Sequence, residues 1–227
     1  MVHFLDEFFW KCFFMLHMNR VGGDYLEFGS GSHTRSFRLA YKYWKLEYRS
    51  PRLFAFDSFE GLPEPTGIDA HAQWAKGAMA VPLDEFHARM RQIGAAQDEY
   101  TVVPGFYEDT LDKASPSDYG IRQAAMVFVD CDLYASSVSV LRFVKDVVAD
   151  GCVLAFDDWY CFNGDPLRGE QRAFREFLAA AAGDVAVSEY LDFGWHGKSF
   201  IVHRTQNARR FSMRKRRGGG PQRRRSR

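Results

Sequence analysis

Tyr25-Leu26-Glu27-Phe28-Gly29-Ser30-Gly31 decides the fold of this chain, because a short apolar run here ends in a carboxylate's neighbour and two glycines. The pattern reads as a strand, Asp24 to Phe28, turning through Gly29-Ser30-Gly31-Ser32 into a helix that ends near Tyr48. Three more apolar runs close on acids: Phe54-Ala55-Phe56-Asp57, Val127-Phe128-Val129-Asp130-Cys131-Asp132 and Leu154-Ala155-Phe156-Asp157-Asp158. One edge of a parallel sheet would carry all of these carboxylates, and ligands bind at that edge.

Outward from this frame, Leu53 to Asp57 is a second strand, followed by a long loop, Ser58 to Ala80, punctuated by Gly61, Pro63, Pro65 and Gly67. A loop of that length in a compact domain is usually functional or disordered. Residues 83 to 93 read as a helix, Tyr100 to Val103 as a short strand, and Phe106 to Ala114 as another helix. Strand Ala125 to Asp130, helix Ser136 to Val148, strand Cys152 to Phe156 and helix Leu167 to Ala182 follow. Strands Val185 to Leu191 and Ser199 to His203 close the chain as a hairpin through Gly194 and Gly197. The alternation predicts an α/β fold: a Rossmann-like, doubly wound, mostly parallel seven-stranded sheet with a C-terminal antiparallel hairpin.

Composition sets the outer limits. The chain has 227 residues, 46% of them hydrophobic, enough for one ordinary core. Its net charge of +1 hides a division: residues 204 to 227 hold eleven of the 30 Lys and Arg and no acid, which leaves 19 bases against 29 acids and a body near −10. The Arg-rich tail, 205–227, carries too little apolar surface to order itself and is expected to be disordered, either solvated against the acidic body or acting as a phosphate-binding arm. Cys12, Cys131, Cys152 and Cys161 show no CxxC spacing, so neither a zinc site nor a disulfide framework is indicated. The run Phe4 to Met18 is too short and too charged to span a membrane. With Glu7 and Lys11 spaced i,i+4 it reads as an amphipathic helix, residues 1–21, packing on the body or on a second copy in a homodimer. A cytoplasmic protein without membrane contact is expected.

Two constellations carry chemistry. Gly29 and Gly31, with Ser30 between them, stand where a strand turns into a helix, so the backbone can approach a ligand and offer N–H groups. Asp57, at the next strand end, is placed to accept both hydroxyls of a ribose, and a nucleoside cofactor follows. A third glycine at the helix start is lacking, since the sequence reads Gly29-Ser30-Gly31-Ser32-His33-Thr34. That weakens a dinucleotide and suits S-adenosylmethionine, which has no pyrophosphate to cradle. Asp130, Asp157 and Asp158 form the second group. Three carboxylates in one dry crevice repel one another, and a hard divalent cation such as Mg²⁺ removes the repulsion. The alternative gives Asp158 to a helix cap or loop and Asp130 to the cofactor's amino group. Asp132 is open between a catalytic role and a cap on the helix near Ser136.

With these segments stand Asp57-Ser58-Phe59-Glu60-Gly61-Leu62-Pro63, Gly105-Phe106-Tyr107-Glu108-Asp109-Thr110-Leu111, Asp130-Cys131-Asp132-Leu133-Tyr134 and Asp157-Asp158-Trp159. In this order they resemble the macrocin O-methyltransferase family from about Gly22 to Phe177. The resemblance implies a class I methyltransferase domain, 22–204, using S-adenosylmethionine and Mg²⁺ to methylate a hydroxyl of a small molecule, often a natural-product sugar. Carried over, Glu27 and Gly29 lie beside the methionine end of the cofactor, Asp57 on its ribose with Ser58 adjacent, and Gly105, Phe106 and Tyr107 on the adenine side. Asp130, Asp157 and Asp158 hold the metal.

Methyl transfer from a sulfonium is an in-line displacement, so the acceptor oxygen must be aligned and its proton taken. His196 is the first candidate base and Asp132 the second, with a metal-bound carboxylate or solvent as further acceptors. Trp74, Trp159, Tyr160 and Trp195 read either as a wall for a sugar ring or as core. Three rivals remain. In a glycosyltransferase, Asp130-Cys131-Asp132 would serve as the DxD. A nucleic-acid methyltransferase is disfavoured by the acidic body and by the lack of a base-stacking NPPY segment. The third is a cofactor-binding protein without turnover.

Overall fold

A computed structural model describes residues 4–31, 34–48, 52–72 and 74–205. The expected Arg-rich tail lies, beyond Thr205, outside the described residues. Helix α1 (Phe4–Met18) precedes strand β1 (Asp24–Phe28) and helix α2 (Arg35–Tyr43), which widens into a π turn, Trp44–Tyr48. Then come β2 (Leu53–Asp57), α3 (Leu83–Gln92), β3 (Thr101–Pro104), the single turn α4 (Tyr107–Thr110) and β4 (Ala124–Val129). The chain closes with α5 (Tyr134–Val144), β5 (Val148–Phe156), α6 (Gly169–Ala180), β6 (Val185–Phe193) and β7 (Gly197–Arg204).

The seven strands form one sheet in the order β3-β2-β1-β4-β5-β7-β6. All neighbours are parallel except β7, which runs antiparallel to both β5 and β6, as the hairpin reading required. Every residue of β1 and β4 is buried, because helices cover both faces of a parallel sheet and leave no wet side. Tyr25 meets Phe9, Phe13 and Phe37 on the side of α1 and α2. Phe28 and Phe56 meet Phe143 of α5 on the other side, where Phe174 of α6 packs on Phe156 and Phe200. The period of two along each strand sorts these rings to their layers.

Helix α1 packs on the body: Leu5, Phe8, Phe9, Cys12, Phe13 and Leu16 are buried, and Phe8 stacks on Phe193 with centroids 4.0 Å apart. The expected Glu7–Lys11 pair is formed at 2.6 Å. Trp10, Phe14 and Met18 remain exposed on its outer side.

The largest differences from the sequence reading lie in β5, α5 and α4. The strand expected from Cys152 to Phe156 begins instead at Val148, and its pairing with β4 shifts register between Val148 and Val153, a stretch that includes Gly151 with φ +86°. Such a register irregularity lets a strand run on through a glycine of positive φ. The helix expected from Ser136 to Val148 is correspondingly Tyr134–Val144. The helix expected from Phe106 to Ala114 is one turn.

Candidate active site

The ladder between parallel strands continues past their last assigned residues and sets the strand ends level. Gly29 N–H donates to the Phe56 carbonyl at 2.9 Å and Gly105 N–H to Asp57 at 2.9 Å. Asp130 N–H donates to Phe28 at 2.8 Å and Asp157 N–H to Val129 at 2.8 Å. The four motif ends therefore sit side by side across β2, β1, β4 and β5, at the point where the chain's winding reverses between β1 and β4.

A cavity of about 310 Å³ opens there, the lower end of the range for small-ligand sites. Among the expected site residues, Gly29, Asp57, Ser58, Gly105, Phe106, Tyr107, Asp130 and Asp132 line it. The loop after β2 supplies another wall through Gly61 to Glu64, Thr66, Asp69 and Met79, and α5 a third through Ala135, Ser136 and Ser139.

The Asp57 carboxylate is pre-oriented by two backbone donors, Gly31 N–H at 2.7 Å and Phe59 N–H at 2.6 Å. Gly31 is thus tied to Asp57 rather than lining the cavity itself. A Cβ at Gly31 would meet the Asp57 carboxylate at 2.9 Å, which explains a glycine there. Burial raises the pKa of Asp57, and the two N–H donors work against that rise. Ser58 holds its own loop, donating to the Gly61 carbonyl at 2.8 Å.

Glu27 and Ser30 stand apart from the cavity wall. The side chain of Glu27 points with Tyr25 into the α2 layer, fully buried, where the Tyr25 hydroxyl donates to one carboxylate oxygen and Ser36 to the other at 2.8 Å. Burial lifts its pKa to about 7 despite these donors. Ser30 is buried, and its hydroxyl reaches the Glu27 carbonyl at 3.5 Å.

The acidic end is more crowded than the sequence suggested. Asp130 is pushed well above the usual carboxylate range by burial and then by Asp157, Asp158 and Asp132. Asp157 rises to about 7 through burial and Asp158, with His196 pulling the other way. Asp157 Oδ1 is buried without a hydrogen-bond partner among the described residues. Asp158 accepts the Asp132 N–H at 3.1 Å on Oδ2 and the Cys161 thiol at 3.4 Å on Oδ1. Among the described residues no three His, Cys, Asp or Glu side chains are gathered as a metal cage. The donor chemistry still suits a hard cation: the groups are oxygen-only, mutually repelling, and one buried oxygen has no partner.

His196 stands beside Asp157 and outside the cavity wall. Its Nδ1 lies 2.6 Å from the Asp157 carbonyl, which can only accept, so Nδ1 is the donor. Asp132 lines the cavity and has a left-handed backbone, φ +57°. It does not cap α5. That role falls to Asp69, from the long loop, whose carboxylate accepts Tyr134 N–H at 2.7 Å and Ala135 N–H at 3.0 Å.

Sequence reading missed Asp69, Arg168 and Glu170. Arg168 donates to the Ile68 carbonyl at 2.8 Å and to Ala70 at 3.0 Å, and it stacks over Phe162. Glu170 is buried behind Asp158. Each works through backbone groups distant in sequence, so no spacing reveals it. The four aromatic residues do not form one wall. Trp159 is packed against Phe156, Phe174 and Phe200, Trp74 sits by His71 and Phe162, and Trp195 is 75% exposed.

Comparison with known proteins agrees with this architecture. The chain is 31% identical over 115 residues to 8-demethyl-8-(2,3-dimethoxy-alpha-L-rhamnosyl)-tetracenomycin-C 4'-O-methyltransferase of Streptomyces olivaceus, covering 48% of this chain and 42% of the relative. It is 26% identical over 148 residues to demethyldecarbamoylnovobiocin O-methyltransferase of Streptomyces niveus, covering 62% of this chain and 54% of the relative. The chain thus spans about half the length of these relatives. Its fold matches the O-methyltransferase NovP with TM-score 0.69 at 22% identity, over 88% of this chain and 79% of that one. It also matches the calicheamicin methyltransferase CalS11 with TM-score 0.68 at 20% identity, over 86% and 77%. The family pattern described as Macrocin-O-methyltransferase (TylF) covers residues 7–180, from within α1 to the end of α6. It reaches further toward the N-terminus than the motifs between Gly22 and Phe177, and on this match the chain belongs to the macrocin O-methyltransferase family.

Proposed function

We propose that the chain is an S-adenosylmethionine-dependent, Mg²⁺-assisted O-methyltransferase acting on a hydroxyl of a small molecule, a sugar or other natural product. The observation that carries this reading is one cavity joining two chemistries: Gly29, Asp57 and Gly105 to Tyr107 at one end, Asp130 and Asp132 at the other. The first group suits a nucleoside and the second an acceptor hydroxyl. The two relatives' names, one a rhamnosyl 4'-O-methyltransferase, support the acceptor class. In the cofactor's place, Gly29 lets the backbone approach, Asp57 accepts the ribose hydroxyls, and Gly105 to Tyr107 flank the adenine.

Asp130, Asp157 and Asp158 would hold Mg²⁺, and the free Asp157 oxygen favours this. When bound, the cation supplies a Lewis acid and a template for acceptor oxygens. The chain's own residues align the hydroxyl with the methyl group and take its proton as the new oxygen–carbon bond forms and the methyl–sulfur bond breaks, leaving S-adenosylhomocysteine. We assign the proton to Asp132, which lines the cavity, ahead of His196, which does not. The same reading places the protein in the cytoplasm, in keeping with four free cysteines. No described helix is long and apolar enough to cross a membrane. It also retains a homodimer contact through the exposed side of α1. The glycosyltransferase reading of Asp130-Cys131-Asp132 is not favoured, since family membership and the glycine turn both oppose it.

The test is calorimetry with S-adenosylhomocysteine on wild type and Asp57→Ala, with and without Mg²⁺. Micromolar binding that collapses in the variant is expected. Wild-type protein that gives neither heat nor a thermal shift would sink the methyltransferase reading.

A further inference from the structure

We infer that Glu170 is a positioning residue for the acidic end of the site, acting by holding the backbone of the Asp157–Asp158 turn. This rests on the metal reading above. Glu170 lies in the first turn of α6, only 1% exposed, and its Oε2 accepts the Asp158 N–H at 2.9 Å. The preceding amide, Asp157 N–H, is taken by the Val129 carbonyl of β4 at 2.8 Å. There the sheet runs out. The next amide of the turn has no strand to pair with, and a carboxylate from α6 takes the place of the missing carbonyl.

The cost of this arrangement points to function. Glu170 Oε1 is buried with no hydrogen-bond partner among the described residues. An acid buried in this way beside Asp158, Asp157 and Asp132 is expensive. What Glu170 adds is a fixed direction for the turn. With both turn amides held, the Asp158 carboxylate meets the Asp132 N–H and the Cys161 thiol while Asp157 keeps one oxygen unengaged. Groups that orient ligand side chains without touching the ion typically change metal affinity by about 10- to 100-fold.

The experiment measures Mn²⁺ binding by electron paramagnetic resonance, and S-adenosylhomocysteine binding by calorimetry, in wild type, Glu170→Gln and Glu170→Ala. The Gln amide oxygen can still accept the Asp158 N–H. Expected are a loss of Mn²⁺ affinity of about 10- to 100-fold in Glu170→Ala, near wild-type affinity in Glu170→Gln, and unchanged S-adenosylhomocysteine binding in both. Should Glu170→Ala fail to fold, Glu170→Asp, which withdraws the acceptor by one methylene, is expected to show the same loss. Equal Mn²⁺ affinity in all variants overturns the positioning role. So does a parallel loss of both ligands, which would mean general damage. Wild-type protein that binds no Mn²⁺ overturns the metal reading itself, and the inference with it.

Discussion

Gly29 and Asp130 meet backbone to backbone: a Cβ built on Gly29 would stand 1.6 Å from the Asp130 carbonyl oxygen, and Gly29 has φ +96°. No side chain fits there, because β1 and β4 are drawn together by the Asp130 N–H bond to Phe28. Gly29→Ala is expected to destabilise the fold by at least about 3 kcal/mol, through overpacking and backbone strain together. Urea unfolding measures this. Gly31→Ala should behave differently, since its Cβ presses only on the Asp57 carboxylate. There the melting temperature should hold while S-adenosylhomocysteine affinity falls. A Gly29→Ala variant as stable as wild type would contradict the observed closeness of the strand ends.

Glu27 gives a pH dependence with a definite sign. Its pKa rises from 4.5 to about 7 on folding, so between those values the folded protein binds more protons than the unfolded chain. Stability from this group is therefore full below pH 4.5 and is lost as pH rises through 7. The shift corresponds to a loss on the order of 3 kcal/mol, chiefly a cost of burying the charge. Glu27→Gln keeps groups for Tyr25 and Ser36 to bond and removes the titration. Its melting temperature should gain on wild type between pH 5 and 8. Parallel curves for the two proteins would refute the raised pKa.

The part of the structure legible in the sequence is the part encoded by local pattern. Apolar runs ending at Phe28, Asp57, Val129 and Phe156 fixed the strands, and their acids marked the sheet edge where the cavity opens. Gly29 and Gly31 could be singled out because a strand-to-helix turn demands them. Glu27 was harder to place. The alternation that puts Leu26 and Phe28 on one face sends Glu27 with Tyr25 into the helix layer, away from the cavity. Asp69 and Glu170 were illegible, since each pairs with amides 65 or 12 residues away, across the fold. The early start of β5 at Val148 was illegible too, since a glycine such as Gly151 serves turns and bulges alike.

Asp69 joins the cavity's loop wall to its helical wall. Its carboxylate takes the first two amides of α5, while Arg168 grips the carbonyls on either side of it, those of Ile68 and Ala70. Asp69→Ala removes a cap, worth about 1 to 2 kcal/mol, and unties the loop. Thermal melting should show the loss, and limited proteolysis should cut between residues 58 and 80 faster than in wild type. Asp69→Asn, with one acceptor oxygen left, should fall between. Unchanged proteolysis in Asp69→Ala would show that other contacts hold the loop.

Asp132 and His196 can be separated as proton acceptors by their different places. Asp132 faces the cavity, and its left-handed backbone is one that Asn also adopts readily, so Asp132→Asn tests the carboxylate without disturbing the turn. His196 instead donates through Nδ1 to the Asp157 carbonyl, at the rear of the acidic cluster. If Asp132 takes the proton, kcat in Asp132→Asn falls by about 10²- to 10⁴-fold with S-adenosylhomocysteine affinity retained. His196→Ala should then lower kcat less and act mainly through weaker divalent-ion binding, because the Asp157 carbonyl loses its support. Steady-state kinetics at saturating Mg²⁺ distinguishes the two. A larger kcat loss in His196→Ala, not recovered by excess Mg²⁺, would move the proton to Nε2 of His196 and place the acceptor on the hairpin side of Asp157.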